Sequence, residues 1–185
     1  NTDGTGSTAN PYNARIDRLV TSGVETYTLT AGDGSVRRYQ TNRFEIRSGT
    51  NVVSRSRPYL LEWRDNRSNS CSFIYSTNAD AVEFGRVVRI ESSSGSFLGF
   101  NYDTYGRIVE AYAGDGRRLL YDYDSHGDLV GVTRPDMSQI QYEYEHLTWR
   151  TNVNSKLRTN IYSTHLMLRE IKPDGRVLRN EYDKE

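Results

Sequence analysis

Cysteine is nearly absent: Cys71 is the only one in 185 residues. An internal disulfide and the Cys-rich zinc spacings are therefore excluded. Lysine is scarce as well, occurring only at Lys156, Lys172 and Lys184, and there are 4 prolines. Net charge is lacking, since 24 basic side chains balance 24 acidic ones. No overall field draws the chain to nucleic acid or to anionic lipid. No run approaches the roughly 18 apolar residues of a membrane helix. The start of the chain, Asn1 to Asn10, has no apolar segment of the kind a secretory signal requires. Helix-forming runs of Ala, Leu, Glu and Lys at helical spacing are missing too. What is present is 14 Tyr against 5 Phe, with 15 Gly and abundant Arg, Val and Thr. That composition favours strands punctuated by turns, and it directs the search to internal repetition.

A period of 21 residues runs from Gly85 to Glu145. Gly85, Gly106 and Gly127 hold one phase, followed by Arg86-Val87-Val88, Arg107-Ile108-Val109 and Asp128-Leu129-Val130. These are the first strands of each unit. Ten residues after Gly85 comes a turn signal, Ser94-Gly95, repeated as Asp115-Gly116 and then as Asp136-Met137, where the Gly is lost. A second strand follows, with Leu98, Phe100 and Tyr102 matched by Leu119, Tyr121 and Tyr123, and by Ile140, Tyr142 and Tyr144. It closes on Tyr102-Asp103, Tyr123-Asp124 or Tyr144-Glu145. Strand period two places Leu119, Tyr121 and Tyr123 on one face and Arg118, Leu120, Asp122 and Asp124 on the other. Asp115-Gly116 suits a tight hairpin turn because both residues tolerate positive φ, and Asp33-Gly34 and Asp174-Gly175 repeat that chemistry. One hairpin cannot bury its apolar face alone, so successive units are expected to pair edge to edge.

The repeat extends outward in weaker form. Pro173 to Asp183 restores a turn, a strand and the Tyr182-Asp183 ending, while Val24–Thr30 with Val36–Tyr39, and Tyr59–Asp65 with Ser72–Tyr75, make strand pairs upstream. The expected organisation is an irregular segment 1–23, degenerate repeats 24–84, three regular repeats 85–146, an inserted loop or long hairpin 147–165, and a further repeat 166–185. Ending in mid-repeat and starting without a signal segment, the sequence reads as a piece of a longer protein.

Tyr102-Asp103-x-x-Gly106-Arg107-Ile108-Val109, followed by Asp115-Gly116-Arg117-Arg118-Leu119-x-Tyr121-x-Tyr123-Asp124, resembles the YD repeat of the RHS family. The resemblance spans residues 24–185 and is most specific over 85–145 and 173–183. It implies an all-β fold, an antiparallel β-hairpin array forming a curved, spiralling sheet or a segment of a hollow shell. Such shells occur in bacterial polymorphic toxins, in the cocoon component of Tc insecticidal toxins and in the barrel of teneurins. They often end in a self-cleaving core bearing Asp-Pro. No Asp-Pro occurs here, so that activity is carried to no residue.

His126, His146 and His165 could form a metal set, but repeat phase puts His126 and His146 on different faces, which favours turn and surface roles. Asp103, Asp124 and Asp183 recur at every turn, whereas a catalytic carboxylate is needed once; capping of turn N–H groups explains them. Tyr102, Tyr123, Tyr144 and Tyr182 could stack sugars, although cross-strand packing accounts for their spacing. Arg107, Arg117, Arg118, Arg176 and Arg179 face Asp122, Asp124, Glu143, Glu145, Glu181 and Asp183 and read as paired or solvated. Cys71 lacks a His partner for nucleophilic work. The expectation is a structural segment without catalysis, cofactor or metal, secreted or at a bacterial cell surface. Its partners would be neighbouring repeats or further copies of itself, with an enclosed toxin or cargo. The alternatives are a carbohydrate-binding adhesion module, using Tyr121 and the insertion, and a fibre subunit joined through open sheet edges.

Overall fold

The computed structural model describes residues 13–48, 51–146, 148–152 and 159–183. Every regular element among them is a strand. In chain order these are β1 (Arg15–Thr21), β2 (Val24–Thr30), β3 (Val36–Ser48), β4 (Asn51–Arg64), β5 (Ser70–Tyr75), β6 (Val87–Ser92), β7 (Phe97–Tyr102), β8 (Ile108–Ala113), β9 (Arg118–Tyr123), β10 (Leu129–Thr133), β11 (Gln139–Glu145), β12 (Thr148–Asn152), β13 (Thr159–Ser163), β14 (Leu166–Ile171) and β15 (Val177–Arg179). Thirteen of them form one antiparallel sheet in sequence order, interrupted only where β11 is followed by β14; β12 and β13 pair with each other as a separate hairpin. Order in space thus copies order in sequence, which is what a chain of hairpins with short turns must give.

Two compact units divide the chain. The first comprises residues 1–107 with 112–116, and the second residues 108–111 with 117–185. In the first unit the long β3–β4 hairpin runs from the Val36↔Arg64 pair out to Ser48↔Asn51. Phe44 and Tyr59 are the buried apolar residues among those described, at 8% and 9% exposure. Their rings meet edge to face at 4.9 Å, and Phe44 also meets Phe84 at 5.1 Å and Tyr59 meets Tyr75 at 5.2 Å. The aromatic cluster is this unit's nearest approach to a core. In the second unit β9 alternates exposed Arg118, Leu120 and Asp122 with half-buried Leu119, Tyr121 and Tyr123, the arrangement that period two predicts.

Three details differ from the sequence reading. Residues 15–21, expected to be irregular, form β1 in register with β2 from Arg15↔Thr30 to Thr21↔Val24. The alternation that marks a half-buried strand is absent because β1 is the outermost strand, with Ile16, Leu19 and Val20 all more than half exposed. Its turn explains the pairing: Ser22 and Gly23 both take positive φ, 51° and 79°, the two-residue geometry that matches strand twist. At Asp33-Gly34, Asp115-Gly116 and Asp174-Gly175, by contrast, only the glycine has positive φ. Finally, Leu98, counted on the apolar face, is 48% exposed. On the opposite face Phe97 meets Tyr112 at 6.2 Å instead.

Candidate functional site

The turns share one frame. At Ala31–Ser35, Asp65–Asn69, Ser92–Ser96, Asp103–Arg107, Asp124–Asp128, Arg134–Ser138 and Lys172–Arg176, the first N–H donates to the fifth carbonyl and the fourth N–H to the first carbonyl. The fourth residue is left-handed throughout: Gly34, Ser68, Gly95, Gly106, Gly127, Met137 and Gly175. Met137, with φ 65°, is the residue that replaces glycine in the third regular unit.

Aspartate serves this frame in two ways. As first residue, Asp103 accepts the N–H groups of Tyr105 and Arg107 at 2.9 and 2.8 Å, and Asp124 those of His126 and Asp128, both at 2.9 Å. As third residue, Asp33, Asp136 and Asp174 accept from Ser35, Ser138 and Arg176. Desolvation pushes the Asp103 carboxyl upward, but the Arg107 N–H and guanidinium and the Tyr105 N–H together hold it below its ordinary 3.8. Asp124 is lowered in the same way against a desolvation push, by the N–H groups of Asp128 and His126.

The closing tyrosines make a recurrent contact of their own. Tyr75, Tyr102, Tyr123 and Tyr182 each donate their hydroxyl to a carbonyl 15 residues back, those of Leu60, Val87, Ile108 and Met167. Three of these acceptors sit beside a β-bulge. The register jumps from Tyr39↔Leu60 to Arg38↔Glu62, from Tyr75↔Val87 to Ile74↔Arg89, and from Tyr144↔Met167 to Glu143↔Arg169. Leu61, Val88 and Leu168 are the extra residues. A bulge interrupts the ladder, and a phenol from the returning strand supplies a donor beside the gap. Phenylalanine could fill the same space but could not donate, which accounts for tyrosine at these four positions. Burial pushes the Tyr75 and Tyr102 phenols above their ordinary 10.0.

The other repeat residues fall into the same scheme. Tyr121 is paired with Val132 and Tyr142 with Glu170 in the ladder. Both rings are half-buried. Tyr144 is half-buried at the end of β11, and Asp183 is exposed beyond β15. Several arginines are ion-paired: Arg107 with Asp103 at 2.7 Å, Arg118 with Glu110 at 2.9 Å, Arg169 with Glu143 at 3.1 Å and Arg176 with Asp174 at 2.6 Å. Cys71 lies within β5, opposite Trp63 and Ser92. A cleft of about 520 Å³ in the first unit is bordered by Phe44, Tyr59, Phe84, Arg57, Arg86 and Tyr105.

The histidines correct the sequence reading. His126 and His146 are not on different faces: their rings stack at 3.9 Å, and His165 meets His146 edge to face at 5.4 Å. Asp124 and Asp128 complete the group. His146 Nε2 lies 3.7 Å from Asp124 Oδ2 and 3.3 Å from Asp128 Oδ2, and His165 Nδ1 is 2.7 Å from Asp128 Oδ1. β9, β10 and β11 are successive antiparallel strands, so the end of β11 returns to the β9–β10 turn and sets His146 beside His126. β11 also pairs with β14, with Glu145 opposite Leu166, so the chain returns after the inserted hairpin and sets His165 beside His146.

An array of antiparallel hairpins whose turns, bulges and tyrosine contacts recur has the architecture of a β-repeat module. Within it, residues 102–139 match the family model described as RHS Repeat, and that stretch is an RHS (YD) repeat. No curated protein matches the chain.

Proposed function

We propose that this chain is a wall segment of an RHS-type shell that encloses a cargo or toxin domain, in a protein that is secreted or displayed at a cell surface. The observation that carries the reading is the use of the repeat's polar groups. Its aspartates hold turns and its tyrosines satisfy bulges, so each unit's chemistry goes into joining the next. Among the described residues β1 is the outermost strand, and it exposes Ile16, Leu19 and Val20. A further hairpin, from the same longer chain or another copy, would cover them. Limited proteolysis of the natively produced protein tests the reading. An enclosed segment should resist protease until the sheet unfolds; its digestion under native conditions would contradict enclosure.

A second reading, glycan binding, is supported by the cleft that Arg57, Arg86 and Tyr105 border. Saturable glycan binding that Tyr105→Ala removes without changing stability is its expected signature.

A further inference from the structure

The cluster at the Asp124–Asp128 turn brings three imidazoles and two carboxylates together. His146 Nδ1 lies 3.2 Å from the Thr164 carbonyl, which can only accept, so Nδ1 carries the hydrogen. In a neutral ring Nε2 is then a lone pair, facing carboxylate oxygens of Asp124 and Asp128 at 3.7 and 3.3 Å. Asp128 Oδ2 is itself buried and accepts no hydrogen bond from the described residues, on a side chain only 11% exposed. A cation between them, whether a proton on Nε2 or a metal ion, satisfies both atoms.

Two overlapping donor sets share His146: Asp124 with His126, and Asp128 with His165. Ring geometry separates them. His126 and His146 are stacked with only 20° between their planes, so their in-plane lone pairs cannot converge on one ion. His146 and His165 are at 88°, which lets both rings aim at a common point. The 3.3 Å between Asp128 Oδ2 and His146 Nε2 matches the edge of about 3.3 Å expected between tetrahedral ligands at zinc bond lengths.

We propose that Asp128, His146 and His165 bind a divalent first-row transition-metal cation, with water at the remaining position. Two imidazoles and a carboxylate suit zinc-like ions better than calcium or magnesium. The Thr164 carbonyl orients His146 as an outer partner, and His126 covers its ring. On loading, His165 moves its hydrogen from Nδ1 to Nε2 through solvent, so no net proton is lost. The ion would tie the β9–β10 turn and the end of β11 to the residue preceding β14. That is the place where the inserted hairpin leaves the sheet.

The test is isothermal titration calorimetry of the intact chain with zinc chloride, with cobalt(II) absorption as a second readout. One site is expected. Asp128→Asn and His165→Gln should each weaken binding tenfold or more, and His126→Gln less than threefold. Magnesium and calcium should not compete. Circular dichroism in chelator confirms folding, and His165, 48% exposed, supplies a variant whose fold does not depend on burial. Absence of saturable binding would overturn the proposal. So would unimpaired binding in His165→Gln, a loss in His126→Gln as large as in His165→Gln, or equal affinity for magnesium.

Discussion

Replacing Tyr102 by Phe removes one oxygen and leaves the ring in place. The hydroxyl donates to the Val87 carbonyl at 2.5 Å, beside the bulge formed by Val88. A typical intramolecular hydrogen bond contributes about 1 kcal/mol net, and a buried acceptor left without a donor costs about 1–3 kcal/mol. Tyr102 is half-buried, so water partly restores the bond and the expected loss is about 1–2 kcal/mol. Urea unfolding reads it: at a slope of about 2 kcal/mol/M, the midpoint should fall by about 0.5–1 M with the slope unchanged. Tyr105→Phe is the control, because that ring is 80% exposed; its stability should stay within about 0.5 kcal/mol of the parent. If Tyr102→Phe were as neutral as Tyr105→Phe, the hydroxyl would not support the bulge and the explanation of tyrosine at these closing positions would fail. Tyr123→Phe should repeat the loss, and Tyr182→Phe, at an exposed ring, should lose less.

Other outcomes follow from the turns and the close approaches. Met137→Gly relieves a left-handed non-glycine residue, φ 65°, and should stabilise by about 1 kcal/mol, whereas Gly116→Ala should destabilise by about 1–2 kcal/mol, both read by thermal unfolding. A Cβ at Gly116 meets nothing within 4 Å, so its cost is conformational alone. A Cβ at Gly99 would stand 2.2 Å from the Tyr112 ring; Gly99→Ala should cost about 1–3 kcal/mol, and Tyr112→Ala in the same chain should recover part of it. The carboxyls of Asp33, Asp65, Asp103, Asp124, Asp136 and Asp174 lie below 3.8 in the folded chain. Their contribution is complete above the unfolded value and is lost as pH falls through the lowered folded values. Urea midpoints should therefore be flat on this account above about pH 5 and fall below about pH 4, less steeply in Asp103→Asn; a midpoint unchanged down to pH 2 would contradict the capping role.

The fold was legible because repetition multiplies weak signals. One Asp-Gly or one alternating strand is ambiguous, but Tyr102-Asp103-x-x-Gly106 recurring as Tyr123-Asp124-x-x-Gly127 locates a turn between defined strands. The bulges had a signal that went unread: paired apolar residues open each first strand, as in Val87-Val88 and Leu129-Val130, breaking an alternation that an unbulged strand would keep. Strand β1 was missed because an outermost strand need not hide alternate side chains. The histidine cluster was hidden for a topological reason. Phase counting treats His126 and His146 as members of successive units, yet the antiparallel return of β11 brings its end back to the β9–β10 turn. His165 arrives from beyond that insertion, and no period in the sequence announces the return.

The central claim, that these repeats form an enclosing wall, is tested most directly by the intact mass of the natively produced protein together with electron microscopy of the same particles. The account predicts a chain several times longer than 185 residues, folded into a closed hollow particle. A 21.2 kDa chain forming fibres or rings would contradict the single-chain shell, and would assign the edge of β1 to pairing between copies.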